Sequence, residues 1–91
     1  MYYVYIVTNK HHTVLYIGVT NNIVRRLNEH KEGSLEWFTS QYNIYILLYY
    51  EEFQYINDAI SREKQLKKRS RKKKFDLIKI VNKNLDEIVF E

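Results

Sequence analysis

The hydrophobic positions of this 91-residue chain change their spacing along its length, and each change marks an element. Residues 2–8 (YYVYIVT) are aromatic and β-branched, which predicts a strand. The alternation puts Tyr3 and Tyr5 on one face and Tyr2, Val4 and Ile6 on the other. Residues 9–13 are polar and read as a loop, and residues 14–19 read as the returning strand of an antiparallel hairpin. Thr20, Asn21 and Asn22 follow, and Thr or Asn suits the cap of a helix over residues 23–31. That helix sets Ile23, Leu27 and His30 at i, i+4 and i+7, with Arg26 at the edge of the same stripe.

Residues 32–43 read as a loop or broken turn with Trp37, Phe38 and Tyr42 as aromatic anchors. A nearly unbroken apolar run over residues 44–52 implies cover on both faces and predicts the central or best-buried strand. From Tyr55 the period becomes helical, with Ile56, Ala59, Ile60, Glu63 and Leu66 on one stripe and Arg62, Lys64, Lys67 and Lys68 outside it. The helix breaks near Ser70, and a second runs over residues 72–81 with Phe75, Ile78 and Val81 inward. Leu85, Ile88, Val89 and Phe90 form an apolar tail that should dock back. The order β-β-α-β-α-α predicts an α+β fold with a three-stranded sheet in one domain over residues 1–91.

Composition narrows the function classes. With no cysteine, neither a disulfide framework nor a thiolate metal site can form. No run reaches the ~20 apolar residues that cross a bilayer, and the N-terminus lacks a signal-peptide pattern, so a cytoplasmic protein with no membrane role is expected. The net charge of +4 is uneven. Segment 62–74 carries nine basic residues and one acid, Glu63, so the rest of the chain is net acidic. Such a patch suits a polyanion through counterion release, and equally a solvated helix face.

Three residues break the local rules. Arg26 and His30 intrude on an inward stripe, where a snorkelling arginine and a half-buried histidine are the ordinary outcomes. Glu63 sits on the core-facing stripe, where a carboxylate is costly unless paired or bound to a cation, and an i,i+4 pair with Lys67 is its ordinary outcome. Gly18 in the second strand marks a bulge or a close approach by another group.

Tyr-Val-Tyr-Ile, a short gap, Tyr-Ile-Gly, Arg26 eight residues past the glycine, His30 four further on and Glu63 within Arg-Glu-Lys-Gln-Leu-Lys together resemble the GIY-YIG endonuclease family. The small single-domain branch, akin to the nuclease domain of the bacterial excision-repair endonuclease, is the nearest likeness. The resemblance implies a three-stranded antiparallel sheet flanked by helices, and a divalent-metal-dependent hydrolysis of DNA phosphodiester bonds in repair or processing. By position it makes Tyr5, Tyr16, Arg26, His30 and Glu63 catalytic and Glu63 the ligand of Mg²⁺, with Mn²⁺ as a substitute. Asn82 corresponds loosely to a late active-site asparagine.

The expected partner is structured, duplex or single-stranded DNA, with RNA and a targeting protein left open. Lys64, Lys67, Lys68, Arg69, Arg71 and Lys72 are expected to contact its backbone. Two positions depart from the family pattern: Tyr3 stands where the family name has glycine, and Val19 where some relatives carry lysine. The alternative is a nucleic-acid-binding module without catalysis.

Overall fold

The computed structural model describes residues 1–33 and 41–90, so Trp37 and Phe38 lie outside the described residues. Among the described residues, three strands, β1 (Tyr2–Thr8), β2 (Leu15–Thr20) and β3 (Ile46–Phe53), and three helices, α1 (Ile23–Glu32), α2 (Ile56–Lys67) and α3 (Arg71–Val81), follow the expected β-β-α-β-α-α order. The sheet is antiparallel throughout, with strand order β2-β1-β3.

The central strand is therefore β1, which is also the better buried, and the expectation that the apolar run over residues 44–52 is the central or best-buried strand is corrected. Five consecutive residues, Val4 to Thr8, are buried in β1, since it has a neighbour on each side and cover on both faces. In β3 the same two-faced burial is reached differently. Ile6 pairs with Tyr49 and Val7 with Leu47, so Leu48 is an extra residue, a β-bulge. The bulge resets which face each side chain meets, and Leu47 and Leu48 are both fully covered.

Each sheet face has its own core. Val4, Ile6, Ile17, Leu48 and Tyr49 pack with Ala59 and Leu66 of α2 and Ile78 of α3. On the opposite face Tyr5, Val7 and Leu47 pack with Ile23 of α1 and Ile44. The alternation read for β1 is thus the division between the two layers. The tail covers the outer flank of β3: the Ile88 amide donates to the Leu47 carbonyl at 2.8 Å, and Leu85, Ile88 and Phe90 return to the cores. Val81, expected inward, is 70% exposed, and Leu77 packs in its place.

Asn82 belongs to this framework. Its amide donates to the carbonyl of the bulge residue Leu48 at 3.0 Å and to Asp86 O at 2.8 Å, while its oxygen accepts from the Asp86 amide at 3.0 Å. A bulge leaves a carbonyl outside the ladder, and a buried carbonyl needs a partner. Asn82 supplies it and fixes the start of the tail.

Candidate active site

The hairpin register sets Tyr5 directly opposite Gly18. Tyr5 is fully buried, and its ring lies across the glycine so closely that a Cβ there would stand 2.6 Å from Cζ and 3.0 Å from Cε1. The close approach expected at Gly18 is real, and the approaching group is this phenol. Tyr16, two residues before Gly18, shares its face and is half-buried, with its ring 6.4 Å from that of Tyr5.

Helix α1 supplies the other side chains. Asn22 caps it by accepting from the Arg25 amide at 3.1 Å, and Gly33 ends it in the left-handed region at φ 69°. With both ends fixed, Ile23 anchors the helix on the sheet, and His30, two turns on, enters the same interior. His30 Nε2 and the Tyr5 hydroxyl form a buried hydrogen bond of 3.1 Å. The imidazole also meets Tyr5 and Tyr16 edge to face, at 5.6 and 5.4 Å between centroids.

Arg26, one turn before His30, donates from Nε to Glu29 Oε1 at 3.2 Å. Burial works against its charge, but hydrogen bonding and charge coupling to Tyr5, and then the Glu29 carboxylate, outweigh it and raise the guanidinium above its ordinary pKa. Four of the five expected residues, Tyr5, Tyr16, Arg26 and His30, therefore converge on one face of the hairpin. Glu29 was missed from sequence, although its place three residues after Arg26 on a helix was a usable signal.

Glu63 stands apart from the four. Ala59 and Leu66, which flank it on α2, pack on the Val4 and Ile6 face, opposite to the face that holds Tyr5. Helices α1 and α2 thus lie on opposite sides of the sheet, and β2 is one of its two edge strands. Among the described residues Glu63 bonds to none of the four, and its carboxylate pairs with Lys67 Nζ at 3.3 Å.

The catalytic domain of the GIY-YIG family matches residues 1–76. The chain belongs to the GIY-YIG family. Its relatives include the UPF0213 proteins of Clostridium perfringens (38% identical over 78 residues, 86% of this chain and 83% of that one) and Staphylococcus haemolyticus (35% over 77 residues, 85% and 93%). The solution NMR structure of a UPF0213 protein from Bacillus halodurans is similar over 92% of this chain and 89% of that one, at 27% identity and a TM-score of 0.58. Membership in this nuclease family implies a nucleic-acid substrate.

The GIY-YIG family is generally divalent-metal-dependent, and the donor set can be tested for fit. Among the described residues no three His, Asp or Glu side chains gather to hold a metal. A lone carboxylate suits only an ion such as Mg²⁺, which takes one or two carboxylates and keeps most of its waters. Glu63 is the candidate ligand: its side chain is 20% exposed, and its partner Lys67, at 52%, makes an i,i+4 pair worth only about 0.2–0.5 kcal/mol.

Of the six basic residues expected on the nucleic acid, three have partners within the protein. Besides Lys67, Lys72 pairs with Asp76 at 3.0 Å, and Arg71 donates to the His12 carbonyl and lies over the Phe75 ring at 5.0 Å. Lys64, Lys68 and Arg69 form no ion pair among the described residues. Arg62, expected outside, instead grips Glu51 of β3 with Nε at 2.9 Å and Nη2 at 3.0 Å, and Tyr49 donates to the same carboxylate. Burial tends to raise the Glu51 carboxyl, yet the bonds from Arg62 and Tyr49 hold it below its usual range. Burial, followed by the bond to Glu51, pushes the Tyr49 phenol up to about 12.

Proposed function

We propose that the protein is a divalent-metal-dependent endonuclease that hydrolyses DNA phosphodiester bonds, with Tyr5, Tyr16, Arg26, His30 and Glu63 as its working residues. The observation that carries this reading is the convergence of two phenols, an imidazole and a guanidinium on one face of the hairpin. Phosphodiester hydrolysis needs an oriented water and a counter-charge for the transition state, and these groups can provide both.

Exposure divides the roles. Tyr5 is sealed from solvent and holds His30, so it is a positioning residue. Tyr16 is half-exposed and can meet water, which makes it the group that orients the nucleophile and draws on its proton. A phenol near its ordinary pKa of ~10 is a weak base at neutral pH, so nearby positive charge is required, and Arg26 is one source. His30, against the Tyr16 ring, is placed to stabilise the phenol or carry its proton onward. Arg26, with a rigid fork of donors, would hold a non-bridging phosphate oxygen. An ion bound by Glu63 would supply Lewis-acid stabilisation of the phosphate and leaving oxygen.

A second reading, a nucleic-acid-binding module without catalysis, is favoured by one observation: the Glu63 carboxylate is paired with Lys67, on the sheet face opposite to the one that holds Tyr5. One experiment separates the two. Purified protein is incubated with duplex, single-stranded, flap and branched DNAs in Mg²⁺, Mn²⁺ or chelator, beside Glu63→Ala and Arg26→Ala. The nuclease reading expects metal-dependent products, none from Glu63→Ala, and a fall of about 10²–10³ in rate for Arg26→Ala. Undiminished cleavage by Glu63→Ala would refute the metal assignment, and salt-sensitive binding with no product on any substrate would establish the binding module.

A further inference from the structure

Between α2 and α3 lies a cleft of about 550 Å³, lined by Lys68, Arg69 and Lys73 together with Ser70, Leu77 and Ile80. These three cations differ from their neighbours in the basic segment. Arg62 is spent on Glu51, Lys67 on Glu63 and Lys72 on Asp76, whereas Lys68, Arg69 and Lys73 form no ion pair among the described residues. The one acid lining the cleft, Asp76, is held by Lys72 at 3.0 Å. Glu51, which feels the charge of Arg69, already takes two bonds from Arg62.

Three cations facing one space repel each other unless an anion enters it, and among the described residues the carboxylates nearest them, Asp76 and Glu51, are already paired with Lys72 and Arg62. Ser70 is the N-cap of α3, so the positive end of that helix opens onto the same cleft. The wall beyond is apolar: Leu77 is half-buried, and Ile80 is 78% exposed. Cations beside an exposed aliphatic wall match a chain in which phosphates alternate with the less polar faces of sugars.

We propose that this cleft binds the sugar-phosphate backbone of the nucleic acid through Lys68, Arg69 and Lys73, and that Lys67, Arg71 and Lys72 serve the protein's own structure. The inference rests on the nucleic-acid substrate of the function proposed above, and is independent of whether the chemistry proceeds. It separates, within one basic segment, three cations that face the cleft from those that serve the fold, although they look alike in sequence.

The test reads binding in chelator, by fluorescence anisotropy of labelled duplex and single-stranded DNA across a NaCl series. Each phosphate neutralised contributes about 0.9 to the slope of log K against log salt for a duplex and about 0.7 for a single strand. Lys68→Ala/Arg69→Ala/Lys73→Ala should lower the duplex slope by about 2.7, and the single-strand slope by about 2.1. Lys67→Ala/Arg71→Ala/Lys72→Ala, with the same net charge, should lower either by less than about one.

Lys68→Ala/Lys73→Ala keeps the half-buried arginine, guards against misfolding of the triple variant, and should lose about two thirds of the effect. Equal losses in the two triple variants would overturn the proposal in favour of diffuse attraction. Absence of DNA binding by the unaltered protein at low salt would also overturn it. A split in slopes without cleavage in Mg²⁺ would leave the cleft standing and remove the nuclease. Cleavage without the split would do the reverse.

Discussion

Adding a single methyl group at Gly18 tests the packing on which the tyrosine cluster rests. In Gly18→Ala the new Cβ would stand 2.6 Å from Tyr5 Cζ, where carbon atoms in contact prefer about 3.5–4.0 Å. The ring or the strand must give way by roughly 1 Å. Tyr5 has no free side to yield toward, since it is fully buried with the His30 ring against it. Either the ring is driven toward the imidazole or β2 withdraws from β1.

Overpacking of this kind costs about 1–3 kcal/mol, and disturbing the buried Tyr5–His30 hydrogen bond adds about 0.5–1.5 kcal/mol. The expected loss is about 2–4 kcal/mol, measured by urea denaturation of an ordinary two-state domain. For a domain of this size that lowers Tm by about 10–30 °C. The double variant isolates the cause. In a Tyr5→Leu background the ring is gone, so Gly18→Ala should cost less than about 0.5 kcal/mol. If the two substitutions add within about 0.5 kcal/mol, or Gly18→Ala alone costs less than that, the glycine is not there to admit the ring.

Three further outcomes follow from contacts outside the cluster. Asn82→Ala leaves the Leu48 carbonyl of the bulge without its partner and should cost about 1–3 kcal/mol by urea denaturation; Asn82→Asp, which keeps the acceptor but loses the donors, should cost nearly as much. Glu51 has a depressed folded pKa, so its contribution is complete above its unfolded value near 4.5 and is lost as pH falls through the lower folded value. Glu51→Gln should therefore lower stability at pH 7 and flatten the acid limb of a stability profile. Tyr49, raised from 10.0 to about 12, has the opposite sign: its contribution is complete below pH 10 and is lost as pH rises toward 12, so Tyr49→Phe should remove that part of the alkaline loss.

The elements of this protein were legible because their signals are local. A period of two assigned Tyr3 and Tyr5 to one face of β1 and Val4 and Ile6 to the other, and Asn22 and Ser70 mark helix starts by capping chemistry that acts within three residues. Tyr5, Tyr16, Arg26 and His30 were legible as a set because the hairpin and the helix after it are contiguous in the chain. What joins distant segments was decided by packing alone. Periodicity gives the face a residue occupies but not the neighbour it finds there. The placing of β1 between β2 and β3, the bulge at Leu48 and the separation of α1 from α2 had no local sign. The same holds for charge. Segment 62–74 is one basic run in sequence, and only the approach of β3 and the turn into α3 divided it into cations that are paired and cations that face a cleft. A charge selects its partner through space, within a few ångströms, and that distance is set by the tertiary structure.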